Sequence, residues 1–140
     1  AHVVQSLIKR GSKRVGILGL SYAPNIKVHA LSPAIKIAAC FAEQGVNAKI
    51  HDPLYTPEEI KNLSGAETFR FPGDLNDFDT IVIVSGHREY RTIDHATLLE
   101  HLGNCRLIID NTALWKGVDF QSKGIEYHLT GDANWLGNRT

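Results

Sequence analysis

The sequence contains no methionine and only two cysteines, Cys40 and Cys105, which lie far apart without a CxxC pair or metal-ligand spacing. That excludes a disulfide framework and a thiolate zinc site, and a reducing cytoplasm fits best. No apolar run approaches the roughly 20 residues needed to cross a bilayer, and no secretory h-region opens the chain, so no membrane partner is expected. Net charge is also missing: 15 basic and 15 acidic residues cancel. Non-specific nucleic-acid binding needs a positive field, so any charged ligand must be held by local groups. The absence of methionine in a chain that begins with Ala1 suggests a fragment of a larger protein.

What is present is the pattern of one α/β domain of 140 residues, a length that buries a substantial core. Ala1 to Arg10 has the apolar spacing of a helix, with Val3, Val4, Leu7 and Ile8 on one face, closed by Gly11. It is expected to be the tail of a preceding inter-domain helix over residues 1–12, with the α/β domain spanning 13–140. The short apolar run Val15 to Leu20 reads as a buried parallel strand. Ser32-Pro33 then supplies an N-cap and a first-turn proline for a helix running to Gly45.

Further strands are predicted at Asn47–His51, Thr68–Phe71, Thr80–Val84, Arg106–Asp110 and Ile125–Leu129, and helices after Thr56 and over Thr92–Leu102. Alternation of this kind specifies βαβ units: a doubly wound, mostly parallel, Rossmann-like sheet of about six strands in the order 3-2-1-4-5-6, helices on both faces.

Ligands of such sheets bind beyond the carboxyl ends of the strands. Four loops qualify: Gly19 to Ser32, His51 to Pro57, Ser85 to Arg91 and Asp110 to Gly117. The first contains Gly16-x-x-Gly19 but not GxGxxG, and its helix starts a dozen or so residues later, which argues against a pyrophosphate cradle. Asp52, at the end of the second strand, is the one feature favouring a dinucleotide. His87 and Arg88 have the position to meet a phosphate or a ring hydroxyl, or else form a solvated turn with His87 capping backbone; Lys27 and His29 have similar standing.

Cys40 and Cys105 read as packing residues. His51, His95, His101 and His128 are scattered and suggest no metal triad. Trp115 and Trp135 suit either a stacking surface or buried packing.

The run Gly19-Leu20-Ser21-Tyr22-Ala23-Pro24-Asn25 followed by Ser32-Pro33-Ala34 resembles the motif GLxFKPxTDDxRxSPA of the C-terminal nucleotide-binding domain of the UDP-glucose/GDP-mannose dehydrogenase family. His51-Asp52-Pro53 is similar to that family's YDP, and Gly86 to Tyr90 to its next strand-end loop. The resemblance runs from about Lys13 to Leu129. It implies a domain that holds a nucleotide-diphosphate sugar within an NAD-dependent 6-dehydrogenase. Such enzymes oxidise a primary alcohol to a carboxylate in two hydride transfers, to give a uronic acid.

On this resemblance NAD belongs mainly to an N-terminal domain, and none is expected on this chain alone. A central helical domain and a homodimer complete the expected partners, and the catalytic cysteine falls outside the chain. The substrate-nucleotide residues carried over are Tyr22, Ser32 and Asp110, with Lys27, His29, His87 and Arg88 as replacement cations or hydrogen-bonding groups. Replacements are needed because Ala23, Ala30 and Asn111-Thr112 stand where the family places cations or its glycine-arginine pair. Loss of those cations also leaves open a non-catalytic or regulatory descendant. A free-standing dinucleotide-binding domain is the third possibility.

Overall fold

A computed structural model of the chain describes residues 2–129. Five strands form one sheet: β1 (Val15–Leu18), β2 (Lys49–His51), β3 (Thr80–Ile83), β4 (Leu107–Asp110) and β5 (Glu126–Leu129). Their order is β2-β1-β3-β4-β5, and every neighbouring pair is parallel. The predicted order is therefore kept with one strand removed. Thr68–Phe71 is not a strand: the Glu67 carbonyl just before it accepts from Ile50 N, but Arg70 N turns back to Asp74 Oδ2 at 2.8 Å. A donor spent within its own turn cannot extend a ladder.

Side chains alternate across the sheet as the period of two requires. Val15, Ile17, Val82, Leu107 and Ile109 face one core, with Phe41 of α2 (Pro33–Glu43) and Ile60 of α3 (Pro57–Ser64). The helix α1 (His2–Lys9) packs on α2 and buries Val4 and Leu7 in the same core. Leu18, Ile81, Ile83 and Ile108 face the other, with Tyr90 of α4 (Arg88–Arg91), Leu98 of α5 (His95–Glu100) and the buried Trp115. Helices thus cover both faces, which is the doubly wound arrangement. Trp115 is a packing residue, its indole donating to the Tyr90 carbonyl at 2.9 Å; Trp135 lies outside the described residues. The helix predicted over Thr92–Leu102 starts later, where Asp94 caps it by accepting from Thr97 N, and a separate single turn, α4, occupies the second half of the expected loop.

Gly16 and Gly19, the two glycines of the apparent nucleotide motif, are required by packing. A Cβ on Gly16 would stand 2.8 Å from the Phe78 ring, and one on Gly19 would stand 2.7 Å from Ser85, at a φ of 102° that side chains rarely adopt. Cys105 is buried and its thiol is pushed up to about 12 by that burial; Cys40 is half-buried against the first core.

Ser32 caps α2 by accepting from Ile35 N, and its own hydroxyl donates to the Leu20 carbonyl at 2.7 Å. It therefore fastens the two ends of the long β1–α2 loop together. Ser32→Ala is expected to destabilise the domain by about 1 to 2 kcal/mol, the cap plus a stranded carbonyl. A chemical denaturation midpoint unchanged from the parent would exclude this role.

Candidate functional site

The carboxyl ends of β1, β2 and β3 converge on one buried carboxylate. Asp52 Oδ2 accepts from Leu20 N at 2.7 Å, Ser21 N at 2.8 Å and His87 Nε2 at 2.9 Å, while Oδ1 accepts from Leu54 N at 2.9 Å. Burial pushes this carboxyl up, but the bonds from His87, Ser21 and Leu54 outweigh it and hold it below the ordinary range. Asp52 is 2% exposed and His87 1%, so this is a closed charge.

The tautomer of His87 follows from its other nitrogen. Nδ1 accepts from Asn25 N at 2.8 Å, so the proton sits on Nε2 and points to Asp52. Asn25 completes the clasp: its side-chain oxygen accepts from Arg88 N at 2.8 Å, and its φ of 62° is one asparagine tolerates. The middle of the β1–α2 loop is thereby pinned to the start of α4. Within the loop, the Ser21 hydroxyl bonds the Ile26 and Val28 carbonyls and accepts from Val28 N.

The sequence-derived residues separate into two groups. Ser32, His87 and Asp110 are buried. Asp110 Oδ1 accepts from the amide and hydroxyl of Thr112 at 2.8 and 2.7 Å, and Oδ2 from Trp115 N and the Tyr127 hydroxyl. Tyr22, Lys27, His29 and Arg88 are exposed. Lys27 Nζ lies 2.8 Å from Glu59 Oε2 and 5.1 Å above the Tyr55 ring, whose edge meets His29. Among the described residues the Arg88 guanidinium has no ion pair or hydrogen bond.

Arg91, not singled out from the sequence, donates to the Gly86 carbonyl at 3.1 Å. Arg91 Nη2 and Thr112 Cβ both flank Gly86, 3.3 and 3.4 Å from where its Cβ would be. A cation from α4 therefore stands close to Thr112. Asn25 carried no spacing signal, because its partners His87 and Arg88 lie 62 and 63 residues away, after β3.

The large apolar side chains exposed among the described residues are Tyr22 at 58%, Ile26 at 56%, Val28 at 38% and Leu31 at 77%. All four belong to the β1–α2 loop. Among the described residues no group of three or more His, Cys, Asp or Glu side chains is placed to hold a metal ion, and no helix is long and apolar enough to cross a membrane.

Two outcomes follow from these contacts. Asp52→Asn places an amide N–H or a weaker acceptor against inward-pointing donors, and should cost about 3 kcal/mol or more; stability equal to the parent would refute the central role of the carboxylate. His51, beside it, has its pKa lowered to about 4 by burial, which the Asp52 charge only partly offsets. The unfolded chain binds that proton below about pH 6.5 while the folded chain refuses it until about pH 4, so stability must fall as pH drops through this window, by an order of 3 kcal/mol in total. Urea midpoints of parent and His51→Asn between pH 7 and 5 test this; the variant should show the flatter profile, and equal slopes would exclude His51 as the source.

The model of the UDP-glucose/GDP-mannose dehydrogenase family UDP binding domain matches residues 16–117. The chain is 26% identical over 123 residues to a UDP-glucose 6-dehydrogenase of Rhizobium meliloti (strain 1021), covering 87% of this chain and 28% of that protein. It is 27% identical over 141 residues to the UDP-glucose 6-dehydrogenase TuaD of Bacillus subtilis (strain 168), covering 93% and 29%. The chain thus spans under a third of the length of these relatives. Its fold matches the UDP-N-acetyl-mannosamine dehydrogenase Cap5O from S. aureus at a TM-score of 0.70 and 16% identity, over 97% of this chain and 30% of that one. A UDP-glucose dehydrogenase from Pyrobaculum islandicum gives 0.67 at 22% identity, over 91% and 28%. With the glycines, the capped loop and the parallel sheet already in place, the match over residues 16–117 makes this chain a member of the UDP-glucose/GDP-mannose dehydrogenase family, corresponding to its C-terminal UDP binding domain.

Proposed function

We propose that this chain holds the nucleotide-diphosphate part of a sugar nucleotide within a cytoplasmic NAD-dependent 6-dehydrogenase, and is inert in catalysis by itself. The observation that carries this reading is the guanidinium of Arg88, without an ion pair among the described residues, beside an exposed loop at the carboxyl edge of the sheet. Arg91 and His29 add donors on the same edge, and Lys27 joins them if Glu59 releases it. Tyr22 offers an exposed ring to a base or sugar. Ser32, His87 and Asp110 act on the loops, holding them in shape, with their polar atoms spent inside the chain.

The cofactor belongs elsewhere in the parent. A dinucleotide pyrophosphate needs free amides at the end of β1, and those of Leu20 and Ser21 are bound to Asp52. These residues do not fit NAD, which also weighs against a free-standing dinucleotide-binding domain. The exposed Tyr22, Ile26, Val28 and Leu31 support a loop that other domains of the parent, or a second subunit, cover, since side chains of this kind clustered on one loop mark a contact surface. In that parent, NAD held by another domain would take the electrons: two NAD would each accept one hydride and one water would supply the second oxygen, turning the sugar's primary alcohol into the carboxylate of a uronic acid.

A second reading, a structural or regulatory descendant, is favoured by two observations: Lys27 is paired with Glu59, and three of the seven site residues are buried. Calorimetric titration of the chain with UDP, GDP and their sugars separates the two. Binding should be weak and salt-sensitive, and Arg88→Ala should weaken it about tenfold through loss of a charged hydrogen bond, with a smaller effect for Lys27→Ala. Binding indifferent to both substitutions would overturn the assignment of these cations, and no binding of any nucleotide would favour the structural descendant. The chain alone should reduce no NAD with any sugar nucleotide; an absorbance rise at the reduced-nicotinamide band would refute the division of labour.

A further inference from the structure

Both ring nitrogens of the buried His87 are engaged, and the two bonds fix its charge. Nε2 lies 2.9 Å from Asp52 Oδ2, and Nδ1 accepts from Asn25 N at 2.8 Å. A backbone N–H only donates, so this pair of bonds requires the neutral ring with its proton on Nε2. A second proton has one place to go, Nδ1, where it would meet the Asn25 N–H head on. The proton and the Asn25 bond therefore exclude each other.

What that bond holds can be named. No side chain from Tyr22 to Leu31 is buried, so the tip of the β1–α2 loop is held by polar contacts. Its base is fixed independently, by Asp52 on the Leu20 and Ser21 amides and by Ser32 on the Leu20 carbonyl. Its far side is tied by Lys27 to Glu59 of α3. Among the described residues, the hydrogen bonds joining residues 22–31 to α4 and its N-cap His87 are those of Asn25: its N–H to His87, and its side-chain oxygen from Arg88 N at 2.8 Å. Displacing the Asn25 backbone withdraws that oxygen from Arg88 as well.

The other titratable groups around the ring come from three elements. Asp52 belongs to the turn after β2 and is held ionised by its donors. His51 of β2 is lowered to about 4 by burial, so it stays neutral above that. From α4, the Tyr90 ring lies 5.7 Å away with its phenol pushed up by burial, Glu89 is pushed up by burial too, and the Arg88 side chain is exposed. The loop's own Lys27 and His29 turn away, to Glu59 and the Tyr55 ring. An imidazolium released from Asn25 would still rest against the Asp52 carboxylate, with Nδ1–H turned to water.

We propose that His87 is a proton-operated latch: neutral, it holds the tip of the β1–α2 loop against α4 through Asn25, and its protonation releases Asn25 and with it the amide of Arg88. The device rests on the Asp52–His87–Asn25 contacts and stands whether or not Arg88 holds a diphosphate. One proton is coupled to opening, so the ratio of open to closed latch rises by at most about tenfold for each pH unit of acidification.

The test is nitrogen NMR of the whole chain between about pH 8 and about pH 5, the range in which histidines change charge. The His87 ring shifts report its proton, the nitrogen–nitrogen coupling across the Asn25 N–H to Nδ1 bond reports the latch, and the Arg88 amide reports the second bond. The coupling should vanish, and the Asn25 and Arg88 amides should move, along the titration curve of His87. Asn25→Gly keeps the backbone N–H and tolerates the positive φ but lacks the side-chain oxygen: its amide should still follow His87, while that of Arg88 no longer does. His51→Asn and Glu89→Gln should leave the response in place. A His87 that stays neutral throughout, or that protonates with the coupling intact, overturns the proposal. So does an Arg88 amide that follows His87 equally in Asn25→Gly, or a response abolished by His51→Asn or Glu89→Gln.

Discussion

A carboxylate sealed from water must be given donors, because an uncompensated buried charge costs several kcal/mol. Asp52 receives four of them, from Leu20, Ser21, Leu54 and His87. These come from the end of β1, the turn after β2 and the turn after β3, so one anion determines how three strand ends meet. The demand propagates outward: His87 must point Nε2–H at Asp52, which leaves Nδ1 to capture Asn25, and Asn25 in turn holds the start of α4. Gly19 is forced by the same convergence, since Ser85 approaches too closely for any side chain there.

That interaction also redirects the chemistry of the edge. In a dinucleotide-binding fold the first amides after β1 are an anion site; here the protein fills it with its own carboxylate. The side-chain cations that α4 places on this edge are Arg88 and Arg91. The β1–α2 loop, fastened at its ends by Ser32 and at its middle by Asn25, is held firmly enough to present apolar side chains to solvent. Exposure of that kind has a cost that a partner surface would remove.

Much of the fold was legible because it rests on local physics. Strand-like apolar runs, the Ser32-Pro33 start of α2, and Pro57 with its acidic first turn all follow from propensity and capping, which act over a few residues. Strand order followed from the doubly wound arrangement that alternating strands and helices imply. Thr68–Phe71 misled because its apolar alternation is used to line an edge and a cleft, while its donors serve a turn.

The sequence by itself determined a doubly wound domain, the capped start of α2, the placement of candidate residues on strand-end loops and, through its motif, the family. Tertiary structure decided which of those residues are reachable: it buried Ser32, His87 and Asp110, left Arg88 without an ion pair among the described residues, and brought Arg91 to Gly86 and Thr112. It also set Glu89 Oε2 3.8 Å from His51 Nε2 and the Tyr90 hydroxyl 2.9 Å from His51 Nδ1. The reason is separation along the chain. Hydrogen bonds such as Asp52 to His87 or Asn25 to Arg88 join residues that no periodicity relates, and only the closing of the sheet brings their donors and acceptors within reach.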